Sequence, residues 1–436
     1  MRAIRGVLFA ILAITRPIAA QPVDSTAQLQ QQVDRLPSGG VLDCGSQRYS
    51  VTSLLLKSNM TLQNCWLDTL PGQTDFAAPV TIDGRSDPKD NIAIRNVHID
   101  GNRNGQANIG YAHQEDGGRH GFRLLGRVSH VLIENSSAVR CASDGIALVS
   151  YGVATSDAPG ALPFQHIEIR NSDFSYNRRQ GASADGVYDL SFENVTFSRN
   201  GTSLSGDAEG DQCASSGGAC YGTGFWYEDY RSAVAGEGLD TLLFSKCVFR
   251  ENFSRSMFFI TNEQPSAPGF QPRGNIHILN SYLDSGLQPL TEDYAVQFQV
   301  ADALAGQNAI YRNIQVGNSF LQGSVGFRQV ANAILTSDQI DTSLPLAGYA
   351  AYSTNISFRD VQASGKLLSV AFDPAGGTAP VVSYADGANI QYFAPAPPPA
   401  GTFSKGDIVW NTQPAIGQSG WVCLAAGTPC SQWQVF

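Results

Sequence analysis

The sequence predicts an all-β chain, a right-handed parallel β-helix (a solenoid) followed by a small C-terminal β module. A nine-residue pattern recurs along it: polar, apolar, any, apolar, any, usually Asn, any, any, apolar. Its nine copies begin 23 to 52 residues apart, a spacing typical of solenoids and propellers. The intervals vary in length, and the one from His166 to Asp189 carries no insertion. This favours one coil per copy over the evenly spaced strands of a propeller blade.

The copies share the alternation of polar and apolar residues that is typical of strands. They begin at Asn59, Asn91, His130, His166, Asp189, Thr241, Asn275, Asn313 and Asn355. Asn occupies the sixth position in seven of the nine copies, which predicts amide side chains that hydrogen-bond from coil to coil. A second strand, often opened by Gly, follows many copies and predicts at least two strands in each coil.

The chain divides into four predicted segments. Residues 1–20 combine basic, apolar and small-residue regions as a secretory signal peptide does. Residues 21–393 are expected to form the β-helix, whose first coil is capped by an amphipathic helix at Ser25–Leu36. Residues 394–400 are a Pro-rich linker, and residues 401–436 are a small module held by a disulfide. We expect a secreted or periplasmic protein without a membrane span.

Cysteine use supports an oxidising compartment. Three disulfides are predicted, and they are Cys44–Cys65, Cys213–Cys220 and Cys423–Cys430. The first pair lies about one coil apart, so stacking could bring its sulfurs together. Cys141 and Cys247 are expected to be buried thiols. Because no cysteine spacing matches a zinc site, no metal site is predicted.

The amino-acid composition limits the classes of molecule that the protein is expected to bind. The formal net charge is −10, and the absence of a Lys/Arg block argues against nucleic acid. A local arginine cluster can still attract an anionic polymer. No cofactor is expected, although the oxygen-rich stretch His113–Gly117 is a weak candidate for calcium. The oligomeric state is left open.

The coil pattern resembles that of the pectin-lyase-like superfamily of right-handed β-helices. The resemblance covers most of the chain and implies an exported protein that handles a polysaccharide. Members of that superfamily include lyases, glycosidases, epimerases and tailspikes. The paired aspartates of polygalacturonases and the arginine motif of pectate lyases are both missing here, so no single family is matched.

Stacking of the second strands predicts rows of side chains along one groove. Asp144, Glu228, Asp229, His120 and Arg179 are the candidate catalytic residues. Seven further residues are candidates for substrate binding, namely Arg178, Arg123, Gln180, Ser183, Trp226, Tyr227 and Glu263. Mixed aromatic, amide and charged groups suit a sugar polymer, because aromatic faces contact C–H surfaces while carboxylates and amides bind hydroxyls.

The leading hypothesis is an enzyme that cleaves glycosidic bonds of a polysaccharide by hydrolysis, with Asp144 and either Glu228 or Asp229 as the carboxylate pair. The main alternative is a lyase that eliminates across a uronic-acid unit with Arg178 or Arg179 and His120. A uronate C5-epimerase and a non-catalytic binding protein remain further alternatives.

Overall fold

In a computed structural model the chain forms the predicted parallel β-helix. The structure describes residues 22–73, 78–106, 119–150, 164–202, 222–229, 238–261, 273–287, 294–300, 310–341, 348–351, 353–359, 361–363, 370–373, 382–386, 389–394, 396–397, 403, 405–411, 418–427 and 429–436. Four predictions fall outside these residues: the signal peptide, the Cys213–Cys220 disulfide, the His113–Gly117 calcium stretch and Glu263.

Each coil has up to three strands, and equivalent strands pair in parallel to form three faces. Face A consists of Leu54–Leu56, the starts of Val80–Asp100 and Phe122–Glu134, Ile146–Val149, Ala182–Ala184, Phe225–Asp229, Met257–Thr261, Tyr294–Val300, Ser324–Arg328, Gly348–Ala351 and Val370–Asp373.

Face B consists of Gly40–Asp43, the start of Met60–Thr69, the middle of Val80–Asp100, the end of Phe122–Glu134, Phe164–Arg170, Val187–Glu193, Leu239–Ser245, Arg273–Leu279, Tyr311–Gly317, Val330–Thr336, Thr354–Arg359 and Val382–Asp386. Face C consists of Arg48–Val51, the ends of Met60–Thr69 and Val80–Asp100, Ser137–Val139, Thr196–Ser198, Val248–Arg250, Tyr282–Asp284, Phe320–Gln322, Gln339–Asp341 and Gln362–Ala363.

Single residues with left-handed backbone form the corners between the faces. Asn59 turns the chain from face A to face B with φ 57°, and Asn64 turns it from B to C with φ 54°. Asn tolerates this conformation better than other residues with a Cβ atom. The predicted amide ladder is confirmed, because Asn96 Nδ2 donates to Asn64 Oδ1 over 2.9 Å. A second ladder runs along the A–B corner, where Asn91 Nδ2 donates to Asn59 Oδ1 over 2.9 Å.

The structure contains a coil that the repeat pattern did not predict. Asn332 has φ 60° and joins the A–B ladder by donating to Asn313 and accepting from Asn355. It lies 19 residues after Asn313 and 23 residues before Asn355. The 42-residue interval between those two copies is therefore two short coils without large insertions.

The N-terminal end of the β-helix is capped by a helix, as predicted. Helix Thr26–Arg35 buries Leu29 and Val33 against the first coils. At the other end Asn389–Ala394 reverses direction against face B, and Ile408–Asn411, Gly420–Ala425 and Gln432–Val435 form an antiparallel unit. Arg103–Gly105 form a turn of 3-10 helix.

Two predicted disulfides are formed, Cys44–Cys65 and Cys423–Cys430. The first joins neighbouring coils, and the second belongs to the small core of the C-terminal unit. Cys141 and Cys247 are buried thiols, as predicted. Within the described residues, no helix has both the length and the apolar character needed to cross a bilayer.

We predict that Thr241→Asn stabilises the protein by about 1 kcal/mol, because a β-branched residue is unfavourable at a left-handed corner. Thr241 has φ 58° where most other coils have Asn. The check is the midpoint of urea unfolding. The matched control is Asn275→Thr, which removes the bonds to Asp240 and Asn313 and should lower the midpoint. An unchanged midpoint for Thr241→Asn would contradict this account of the corner.

Asp338 is a fully buried carboxyl in a ladder of polar side chains inside the helix. Ser319 N–H donates to its Oδ1 over 2.7 Å, whereas its Oδ2 has no hydrogen-bond partner among the described residues. Burial raises the pKa of Asp338 to about 7, because the charged form loses its hydration.

We predict that the stability of the protein falls as pH rises from about 4 to about 7, because the unfolded Asp338 carboxyl ionises before the folded one. Asp338→Asn keeps an acceptor for Ser319 N–H and removes the titration. The variant should be more stable than the parent at about pH 8 and show a flatter profile, measured as melting temperature against pH. A lower melting temperature of the variant at that pH would contradict the prediction.

Candidate active site on face A

Face A carries the variable connections of the helix. Segments 107–118 and 203–221 lead from face C into face A, and segments 151–163, 230–237 and 262–272 lead from face A into face B. The corners between faces B and C are short. Functional residues commonly cluster where variable loops border a rigid scaffold, so face A is the candidate functional face.

A row of residues precedes the strands of face A, and we call it the pre-strand row. In successive coils, the backbone N–H of the residue after one member donates to the carbonyl oxygen of the next member. The five members are His120, Asp144, Gln180, Thr223 and Arg255. Glycines follow four of them. A Cβ atom on Gly145 or Gly181 would lie 2.7 Å from a carbonyl oxygen of the next coil, so only glycine allows this close stacking.

Asp144 is the most heavily contacted member of the row and is 2% exposed. Its Oδ2 accepts a hydrogen bond from Ser183 Oγ at 2.7 Å, and its Oδ1 accepts from the backbone N–H of Gln180 at 3.1 Å. The Arg179 Nε atom lies 3.7 Å from Oδ1. Burial alone would raise the pKa of Asp144, but Arg179, His120 and Ser183 lower it to about 2. Asp144 is therefore ionised at neutral pH.

His120 lies against Asp144 from the preceding coil. Its Nδ1 accepts a hydrogen bond from the backbone N–H of Asp144 over 3.3 Å and lies 3.4 Å from Asp144 Oδ2. Burial lowers the pKa of His120, and the charges of Arg123 and Arg179 lower it further against the opposing effect of Asp144. The ring is consequently neutral near pH 7.

Arginines surround this pair. Arg178 and Arg119 are buried, at 3% and 5% exposure, and their backbones bond to the coil that carries Asp144. Arg123 lies one coil before Asp144 in face A, where it pairs with Ala147. The positive charges of Arg123 and Arg179 both act on His120, against the single negative charge of Asp144.

An aromatic pair continues the outward row of face A. Ser183 pairs with Trp226, which pairs with Phe258, and the two rings are 4.5 Å apart in an edge-to-face arrangement. The Arg255 guanidinium lies 4.6 Å from the Phe258 ring. Tyr227 points to the other side of the strand and is fully buried in the core, so it cannot line the groove as predicted. Alternation along a strand places adjacent residues on opposite faces.

Glu228 does not come close to Asp144. It lies three residues beyond Phe225, and Phe225 pairs through Ala182 with Ile146. At about 3.3 Å per residue and about 4.8 Å per strand, the backbones of Asp144 and Glu228 are roughly 14 Å or more apart. Glycosidase carboxyl groups are separated by roughly 5–9.5 Å. The predicted hydrolytic pair of Asp144 and Glu228 is therefore not assembled.

Asp229 and Glu263 are the two other acids that the sequence predicts for the site. Asp229 ends the strand Phe225–Asp229, one residue farther from Asp144 than Glu228. Glu263 lies outside the described residues. The structure thus brings together His120, Asp144 and Arg179, and places Gln180 and Ser183 in direct contact with Asp144.

Sequence reasoning missed Phe258 and Arg255. Counting this strand from Met257 places Phe259 in the outward row, but Phe259 belongs to the core. The error arose because this coil opens with Ser256 where other coils have Gly. Ser256 is paired with Gly224 in the stacking, and aligning the two residues would have placed Arg255 in the pre-strand row and Phe258 beside Trp226.

Comparison with known proteins bears on the fold. No protein-family model and no curated protein matches the chain. The A-module of the mannuronan C-5 epimerase AlgE4 from Azotobacter vinelandii superimposes with a TM-score of 0.57 at 15% identity, covering 84% of this chain and 91% of that one. The AlgE6 A-module from the same organism gives 0.54 at 13% identity, covering 84% and 90%. At such identities the likeness concerns the fold alone.

We predict that His120 titrates below the ordinary value of 6.5 for histidine, measured by NMR of the imidazole signals against pH. Asp144→Asn should lower the pKa of His120 further, because it removes the hydrogen bond and charge that favour the imidazolium. His98 lies on face C and serves as the internal control, whose titration should not move between the two proteins. A His120 pKa that rises in Asp144→Asn would refute the described electrostatics.

Proposed function

We propose that this chain, a pectin-lyase-like right-handed parallel β-helix, acts on an acidic polysaccharide by removing the C5 proton of a uronic-acid unit. The observation that carries the proposal is the buried pair of neutral His120 and ionised Asp144. A neutral imidazole is a competent base. The carboxylate of Asp144 can hold the ring in one orientation and stabilise the imidazolium that forms.

The surrounding arginines support a uronate substrate. A C5 proton is acidic only when the neighbouring carboxylate is neutralised, and guanidinium groups do this by charge-assisted hydrogen bonds. Arg178 and Arg179 flank Asp144 on the next coil, and Arg123 lies on the other side. The positive site explains how a chain with a net charge of −10 could attract an anionic polymer.

The proposed reaction is β-elimination. The neutral imidazole of His120 takes the C5 proton, the C5–H electrons form a double bond between C4 and C5, and the C4–O4 bond breaks. The leaving oxygen then takes up a proton. No protonated carboxyl is required, which fits the low pKa of Asp144. Hydrolysis would instead need a protonated acid and a second carboxylate nearby.

Epimerisation at C5 is the second candidate. It begins with the same proton abstraction and ends with reprotonation of the same carbon from the opposite face. The two solved structures described above are modules of mannuronan C-5 epimerases. The two disulfides are typical of oxidising compartments and therefore support an exported location. Such a location suits either activity.

The experiment incubates the protein with a panel of polyuronates in deuterated water. Ultraviolet absorbance of an unsaturated uronate indicates elimination, and deuterium at C5 without absorbance indicates epimerisation. Either result supports proton abstraction. New reducing ends without absorbance or deuterium would indicate hydrolysis and would refute the proposal, as would binding of a polymer that stays unchanged.

We predict that His120→Gln lowers kcat on the accepted polymer by about 10²–10⁴-fold, because it removes the base. The matched control is His166→Gln, since His166 lies at an exposed corner and pairs with Asp189. The control should keep full activity. Activity of His120→Gln within a few fold of the parent protein would exclude His120 as the base.

A further inference from the structure

Two buried polar side chains of the pre-strand row have no hydrogen-bond partner among the residues that the structure describes. Both amide atoms of Gln180, Oε1 and Nε2, and the hydroxyl Oγ1 of Thr223 are unbonded and sealed from solvent, and both residues are 0% exposed. They lie on consecutive coils, joined by the hydrogen bond from Gly181 N to Thr223 O at 3.0 Å. Gln180 also donates its backbone N–H to Asp144.

Such atoms are costly for a folded protein. A buried amide or hydroxyl without a partner loses its hydration and gains nothing in return. Native structures leave few such groups, and those that occur commonly belong to functional sites. Gln180 and Thr223 lie on adjacent coils, whose backbones are about 4.8 Å apart, and Gln180 contacts Asp144 through its backbone. Unpaired atoms on such neighbouring residues indicate a shared partner.

The chemistry of these atoms selects the partner. Gln180 offers one acceptor and a two-proton donor, and Thr223 offers one of each. A carboxylate or phosphate could accept from Gln180 Nε2 and from the Thr223 hydroxyl, but it would leave Gln180 Oε1 without a donor. A sugar hydroxyl both donates and accepts, so a pair of neighbouring hydroxyls can satisfy the amide and the threonine together.

We infer that Gln180 and Thr223 form a site for two adjacent free hydroxyls of a sugar unit, which we call the hydroxyl site. This inference rests on the proposed function, because it orients the unit with its carboxylate towards Arg178 and Arg179 and its hydroxyls towards the next two coils. A sugar reaches these atoms only when the surface above them opens. The substrate class is then a uronate polymer whose ring hydroxyls are unsubstituted.

The hydroxyl site predicts discrimination against O-acetylated polymer. An acetyl ester removes the donor and adds bulk where the amide needs a partner, so the parent protein should prefer the unsubstituted polymer by about 100-fold or more. Gln180→Met keeps the side-chain length and removes both polar atoms. It should lower kcat/KM on the unsubstituted polymer by about 10–100-fold and nearly abolish the preference.

Melting temperature separates a binding role from a structural one. Gln180→Met replaces unpaired polar atoms with apolar ones, so its melting temperature should stay equal or rise. The matched control is Gln106→Met, because the Gln106 amide is also buried but donates to the carbonyls of Leu70, Gly101 and Asn102. That control should melt lower and keep the preference for unsubstituted polymer.

The preference is measured on whichever product the parent protein forms, or by calorimetric binding to the two polymers if none forms. The hydroxyl site is therefore tested even if proton abstraction is refuted. A Gln180→Met protein that keeps the full preference overturns the inference while leaving the proposed function intact. A marked fall in its melting temperature, or a parent protein that treats both polymers alike, overturns it as well.

Discussion

The structure depends on the stacking of coils through backbone hydrogen bonds, with a left-handed corner to keep each coil in register. Asn is favoured at these corners for two reasons. Its backbone tolerates positive φ, and its side-chain amide hydrogen-bonds to the Asn at the same position of the next coil. Each corner fixes the position of the strand that follows. A residue in one coil therefore meets its counterpart 19 to 52 residues away, and rows of side chains form without any local sequence contact.

The candidate active site is a consequence of that stacking. His120, Asp144 and Arg179 belong to three successive coils. His120 and Arg179 both lie within 4 Å of the Asp144 carboxylate. Burial without neighbouring donors would raise the pKa of the Asp144 carboxyl group and disfavour its ionised form. The guanidinium and hydroxyl groups around it offset the lost hydration and keep it charged, whereas Asp338 lacks such partners and has its pKa raised to about 7. Burial is similar at the two residues, and the neighbours decide the charge.

Much of the fold could be predicted because the repeat encodes it directly. The alternation predicted the strands, the recurrent Asn predicted the amide ladder, and the spacing of Cys44 and Cys65 predicted a bond between neighbouring coils. The prediction failed where a coil departed from the common residue types. Asn332 was overlooked because its segment lacks Asn at the second corner, where Ser337 takes the left-handed conformation instead. Phe258 was misplaced because Ser256 replaces glycine.

The sequence by itself determined the coil and the stacking that brings His120, Asp144 and Gln180 into one groove, since these follow from a one-dimensional periodicity. Only the tertiary structure decided which groups meet. It separated Glu228 from Asp144, because residues later in a strand lie farther along it. It turned Tyr227 into the core through strand alternation. Protonation and unpaired atoms likewise depend on burial and distance, which no periodic pattern contains.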